Sequence, residues 1–142
     1  MTRLLFLILV NTLFGAIVFV FHREGLLLEA WKNDILFIIP AISILLILGI
    51  VIMGRSMETA EWCGDAMITL GFIGTALGTW TAFAGVDTDA MGDIDAAKAV
   101  IANMITGLGA ALWTTITGAF ANLWLSANIR VMEAFDGAGR HD

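Results

Sequence analysis

The chain has 142 residues, of which 59% are hydrophobic and only 14% charged, with a mean hydropathy of +0.91. A chain this apolar cannot hide its surface in one water-soluble core, so the bilayer is the expected solvent for most of it. The formal net charge of -6 and the lack of a basic cluster argue against a nucleic-acid or anionic-lipid surface, and the single cysteine, Cys63, excludes an internal disulfide framework.

Four apolar runs follow in chain order, in one membrane domain over residues 1–142. The first, "LLFLILVNTLFGAIVFVF" at residues 4–21, follows Arg3 but lacks a small-x-small cleavage site, so it reads as an uncleaved span and not as a signal peptide. The second, "ILFIIPAISILLILGIVIM" at residues 35–53, is equally rich in Leu and Ile, and its Pro40 is a candidate kink. Both read as lipid-facing walls. Between them "HREGLLLEAWKND" reads as an interfacial turn, with Leu26 to Leu28 and Trp31 at headgroup level. The third span covers about residues 66–86 and the fourth about 96–127, with a helical extension to about 135 and fraying at Gly137 and Gly139. Each run approaches or exceeds the roughly 20 residues that cross hydrocarbon as a helix, and helix is the default because backbone groups in lipid must bond internally.

The last two spans differ from the first two. Gly71, Thr75, Gly78, Ala82 and Gly85 recur at steps of four and three, and so do Gly107, Ala111, Thr115, Gly118 and Asn122. Small residues let helices approach closely where hydrophobic burial no longer drives association. These stripes therefore face other helices. Tight packing inside one bundle, with threonines bonded to their own backbone, accounts for the stripes taken alone. The threonines are numerous, however: Thr69, Thr75, Thr79 and Thr81 on one helix, and Thr106, Thr114, Thr115 and Thr117 on the other. They cannot all lie on one seam. Asn11 and Asn103 are candidates for bonds across helices, Trp31 and Trp62 for interfacial anchors, and Trp80, Trp113 and Trp124 for packing between subunits.

"GFIGTALG" followed by "AALWTTITGAFAN" resembles the two core helices of the MotA/TolQ/ExbB proton-channel family. Gly71, Gly74, Thr75 and Gly78 match the Gly-x-x-Gly-Thr-x-x-Gly pattern of its first core helix. Ala111, Leu112, Thr114, Thr115 and Gly118 match the Ala-Leu-x-Thr-Thr-x-x-Gly of the second. The resemblance covers about residues 71–122. It implies an all-α polytopic protein of four transmembrane helices, the last two forming the channel core of a homo-oligomeric, five-fold ring in the bacterial inner membrane. Its implied partner is a small single-span protein, MotB/TolR/ExbD-like, whose transmembrane Asp carries the proton. The implied function is that of a channel subunit in a motor driven by proton motive force. The family's lumen threonines carry over to Thr75 and Thr115, with Thr79, Thr114 and Asn122 added to the ion path. Gly71, Gly74, Gly78, Ala111 and Gly118 are the implied packing residues. Family members usually carry a substantial cytoplasmic region before the paired core helices; here only "GRSMETAEWCGD" stands there, so this would be a miniature member.

An absence agrees with that division of labour. Apart from Lys98 at the outer end of the fourth, no Asp, Glu, Lys, Arg or His lies inside the four runs, whereas proton transport needs an ionisable group at depth. A threonine hydroxyl both donates and accepts, so it serves a carboxylate or a carboxylic acid. The loop "VDTDAMGDIDAAK" places Asp87, Asp89, Asp93 and Asp95 at the expected pore mouth, where they cap the last helix and attract cations. Their spacing lacks the terminal Glu of a calcium loop. Arg3, Arg55, Arg130 and Arg140 inside, against Arg23, Lys32 and Lys98 outside, give a cytoplasmic N-terminus by a narrow margin. No nucleophile–base pair, metal cluster or phosphate loop is present, so no enzyme and no cofactor are expected. The rival readings are a holin-like pore former, which would conduct without a partner, and a non-conducting membrane scaffold.

Overall fold

The computed structural model describes residues 2–25, 27–28, 37–84, 86 and 94–138. Four helices make up its architecture: α1 (Thr2–Arg23), α2 (Ile38–Ile52), α3 (Met57–Ala84) and α4 (Ile94–Ala138). Three of them, α1, α3 and α4, are long and apolar enough to cross a membrane. The second expected span is a helix of 15 residues. At 1.5 Å per residue it rises about 22 Å, short of the roughly 30 Å of hydrocarbon.

Local chemistry sets the helix ends. α1 stops at a turn in which Gly25 adopts φ 76°, a conformation open to glycine, and its amide bonds to the His22 carbonyl at 3.1 Å. Pro40 is the third residue of α2, so it starts that helix where its missing N–H goes unnoticed; the expected kink has no place there. α3 begins at Met57, well before the expected start at 66, because Ser56 caps it. The Ser56 hydroxyl accepts the Thr59 amide at 3.2 Å and Glu58 lies in the first turn. The early turns also have an inward face, Ala60, Cys63, Gly64 and Met67, all buried. The expected polar connection thus shrinks to Gly54–Ser56. α4 runs through Gly137 to Ala138, beyond the expected end near 135; Gly139 lies outside the described residues.

α3 and α4 form an antiparallel hairpin, and α2 lies along its lower part. Their shared core holds Ile42, Met67 and Leu125 at full burial, with Cys63, a free thiol, among them. α1 leans on α4 from the far side through aromatic rings. Phe6 meets Phe135 at 5.7 Å, Phe14 stacks on Trp124 at 5.4 Å, and Phe21 meets Phe120 at 6.2 Å. Trp124 therefore packs within the chain. Trp62 is exposed at the start of α3, as an interfacial anchor would be, whereas Trp31 falls outside the described residues.

One polar clasp fixes the register of α1. The Asn11 amide nitrogen donates to Asn128 Oδ1 at 2.7 Å and to the Leu7 carbonyl at 2.8 Å. Asn11 Oδ1 accepts the Trp124 indole N–H at 2.9 Å, and the Asn128 amide closes the circuit on the Trp124 carbonyl at 2.9 Å. Asn128 is 1% exposed, so each of these groups depends on the others for satisfaction. The expected cross-helix role of Asn11 is thus filled, whereas Asn103 is exposed. Replacing Asn128 by Leu strands the Asn11 amide in an apolar setting, at a cost of about 1–3 kcal/mol. Asn128→Leu and Asn11→Leu should each lower the midpoint of thermal unfolding in detergent, and the double variant should lose less than the two separate losses combined. Strictly additive losses would show that the clasp is not a unit.

Candidate functional site

The hairpin seam comes first, because it positions everything else. The stripes read from the sequence face one another: Gly71 lies on Gly118, Gly78 on Ala111 and Ala82 on Gly107. The approach is close enough to be backbone on backbone. A Cβ built on Gly118 would stand 2.6 Å from the Met67 carbonyl oxygen, and one on Gly78 would stand 2.9 Å from the Ala111 nitrogen. Neither backbone has room to move without parting the helices. The five expected packing residues, Gly71, Gly74, Gly78, Ala111 and Gly118, are all buried here.

Thr75 and Thr115 meet at one edge of this seam. Their hydroxyls are in direct hydrogen-bond contact across the two helices. The Thr75 hydroxyl also lies 3.0 Å from the Gly71 carbonyl and 3.3 Å from that of Ala111, which the Thr115 hydroxyl approaches at 3.3 Å as well. Two hydroxyl protons thus share several acceptors: two carbonyls and the two hydroxyl oxygens themselves. Such a pair can exchange donor and acceptor roles by rotating its hydroxyls, without moving a helix. Both residues are half-buried, so the pair borders the hairpin surface.

The other expected ion-path residues divide. Thr79, half-buried, stands one turn above Thr75; Asn122, half-buried, stands seven residues below Thr115 on the antiparallel helix. No hydrogen bond to either side chain forms among the described residues, although the Asn122 amide oxygen lies against Gly64. At 1.5 Å per residue the strip from Thr79 through the threonine pair to Asn122 runs about 16 Å, roughly half the hydrocarbon thickness. Thr114 is separate. It is 4% exposed, packs on Gly74 inside the seam and donates to the Ala111 carbonyl at 2.9 Å. Thr69, Thr81, Thr106 and Thr117 each bond a carbonyl of their own helix.

Of the four acidic residues expected at the pore mouth, Asp95 is exposed in the first turn of α4 and pairs with Lys98 at 3.1 Å; Asp87, Asp89 and Asp93 lie outside the described residues. Among the described residues no three of His, Cys, Asp and Glu come together as a metal site. Sequence reasoning missed Asn128, whose partner Asn11 is 117 positions away. The local signal was a further amide inside α4, after Asn103 and Asn122.

Compared with known proteins, the chain matches no family model, no curated protein and no solved structure.

The seam predicts a sharp contrast between two glycines. Gly118→Ala drives a methyl into the Met67 carbonyl and should destabilise the hairpin by about 1–3 kcal/mol, the range for overpacking. Gly15→Ala on α1, where nothing lies within 4 Å of the added carbon, should be neutral or stabilising by up to about 1 kcal/mol. Thermal unfolding of the two variants, read against the parent, checks both. Equal behaviour would mean that the hairpin is not held by this approach.

Proposed function

We propose that this chain is the ring-forming subunit of an ion channel, most simply a proton channel, that works with a partner bearing a carboxyl group within the membrane. The observation that carries this reading is the hydroxyl strip. Thr75 and Thr115 share their protons across two helices, and Thr79 and Asn122 extend the same edge with side chains that no described residue satisfies. A polar side chain left without a partner at membrane depth calls for water or for another chain. Described residues 4–21, 66–84 and 99–129 contain no ionisable side chain, so a proton carrier must come from outside this chain.

The ring is the natural complement of this edge. α1 ends beside Phe120, while α4 continues upward to Ile94, so roughly 40 Å of α4 rises beyond α1, about half of it paired with α3, which ends at Ala84 near the level of Gly107. Copies of the chain are the proposed cover for the strip's own edge, five by the family resemblance, with two partner helices at the centre. A cytoplasmic N-terminus, four spans and an inner-membrane setting complete the proposal. Ion flow would cycle the partner's acid between protonated and ionised forms, and the ring would turn relative to it. A non-conducting scaffold is the rival that one observation favours: five of the nine threonines on α3 and α4, Thr69, Thr81, Thr106, Thr114 and Thr117, bond back to carbonyls of their own helix without crossing to the other.

Two measurements separate these readings. In liposomes with an entrapped pH dye, the purified chain alone should assemble as a ring by electron microscopy yet pass protons slowly, because it lacks a titratable group at depth. Rapid flux from the chain alone would favour a holin-like pore instead. A stable monomer would remove the basis for a ring.

With the partner present, Thr75→Val and Thr115→Val should assemble normally and lose most of the partner-dependent flux. Each removes one hydroxyl at near-constant shape, at a cost of about 1–3 kcal/mol to the path, or roughly 5- to 150-fold in rate. Thr69→Val and Thr81→Val, whose hydroxyls serve only their own helix, should conduct like the parent. Normal flux in all four variants would hand the case to the scaffold.

A further inference from the structure

The polar edge of the hairpin does not end at Asn122. On α4 it runs on through Ser126 to Glu133, both within about 40° of Asn122 at 3.6 residues per turn. On α3 it runs down through Asp65 to Glu61, both within about 40° of Thr79. Glu61, Asp65, Arg130 and Glu133 are exposed, and none forms an ion pair among the described residues. α2 lies on the other side of the seam, where Ala60, Cys63 and Met67 are buried. Contacts already described set the height of these acids. Asp65 adjoins Gly64, which faces Asn122, while Phe14 of α1 stacks on Trp124, two residues on. Glu61, one turn lower, is near the height of Asn11, which bonds Asn128. Both acids thus stand level with the middle of the uncharged run of α1, residues 4–21.

That run is about 27 Å long, so it crosses the roughly 30 Å of hydrocarbon with little to spare. A bilayer that covers it also covers the height of Glu61 and Asp65. Leu5, Ile8, Leu9 and Leu13 are exposed on α1, as lipid requires. Exposed carboxylates at the same depth are excluded from lipid; ionisable groups there face a bundle interior or a water-filled cavity. We infer that the lower edge of α3 and α4 borders a water-filled, cation-attracting vestibule that reaches up to Asp65, so that water stands about 15 Å higher on this edge than on the outer edge of α1. The step is the rise of α1 from Leu4, where its uncharged run begins, to Phe14, level with Asp65. It lets both uncharged runs, 4–21 and 66–84, meet hydrocarbon although α1 and α3 are offset along the axis. Glu61, Asp65 and Glu133 outnumber Arg130, so the vestibule is negative and gathers cations. Thr75 stands a further ten residues, again about 15 Å, above Asp65. The vestibule therefore leads ions to the hydroxyl strip and is not part of it.

The inference rests on the proposed ring, whose copies keep lipid from this edge, and not on conduction. Single cysteines placed at exposed positions test it, with Cys63 left in place because it is 1% exposed. In phospholipid nanodiscs, open to water on both faces, a methanethiosulfonate bearing trimethylammonium should modify Glu61→Cys and Asp65→Cys and leave Leu9→Cys and Leu13→Cys unmodified over the same time. The reacting thiolate forms in water and is suppressed in apolar surroundings. At Asp65→Cys the cationic reagent should outpace its sulfonate counterpart by about tenfold relative to their ratio on a free thiol. Four positions that react alike would put α1 outside hydrocarbon, and four silent positions would mean that lipid or packed protein covers the acids. An advantage for the sulfonate would mean that the space is not negative. Each of these results overturns the inference. Electron microscopy of the same sample reports the ring separately: rings with silent cysteines overturn the vestibule and spare the ring, whereas a monomer overturns both.

Discussion

The close approach of α3 to α4 is the constraint on which the rest of this structure depends. In hydrocarbon, burying one apolar side chain against another gains little over burying it in lipid, so association must come from packing and from hydrogen bonds. Glycine and alanine at each crossing point bring the backbones close enough for that. Gly118 rests on the Met67 carbonyl and Gly78 on the Ala111 backbone. Once those contacts exist, the vertical register of the hairpin has no freedom left. Thr75 must then arrive beside Thr115, Thr114 must fill the space over Gly74, and α2 finds a groove in which Leu125 and Cys63 crowd Gly49.

The seam also explains why the two edges of the hairpin differ in chemistry. The edge that α2 covers is dry and apolar, made of Ile42, Met67, Ala121 and Leu125. The opposite edge carries hydroxyls and an amide. A threonine within a helix normally satisfies itself on the carbonyl one turn back, which makes it nearly neutral toward lipid. Thr69 and Thr106 do this on exposed faces. The Thr75–Thr115 pair goes further because close backbones put the second helix's hydroxyl and the Ala111 carbonyl within reach of the first. Shared protons, not the mere presence of threonine, distinguish this spot from the others.

The stripes were legible in the sequence because helical spacing alone determines which residues share a face. That Gly71 meets Gly118, and that the two stripes meet each other, required the antiparallel hairpin. The threonines were less separable. Thr114 and Thr115 are neighbours in sequence, yet a 100° step places one inside the seam and the other at its edge. The early start of α3 escaped notice for a physical reason as well. Glu58, Glu61 and Asp65 look like a loop by composition, but they occupy the outer face of a helix whose inner face is Ala60, Cys63 and Gly64. The clasp was half legible. Asn11 is conspicuous as an amide in an apolar run, whereas nothing local tells that Asn128 and Trp124 stand opposite it.

The remaining asymmetry runs along the hairpin axis. The lower half owns the core, the clasp and the aromatic contacts to α1; the upper half has the seam alone. Large side chains such as Trp80, Ile101, Ile105 and Leu112 are accordingly exposed there. In water such a surface would drive aggregation, but in a bilayer it can face lipid at no hydrophobic cost. What lipid cannot satisfy is the polar edge between the two halves. The apolar exposure of the upper hairpin therefore carries no information about partners, and the half-buried hydroxyls and amide beside it do. Along Thr79, Thr75, Thr115 and Asn122 the hydroxyls and the amide are gathered on one edge of the hairpin, where a bilayer alone is a poor solvent for them.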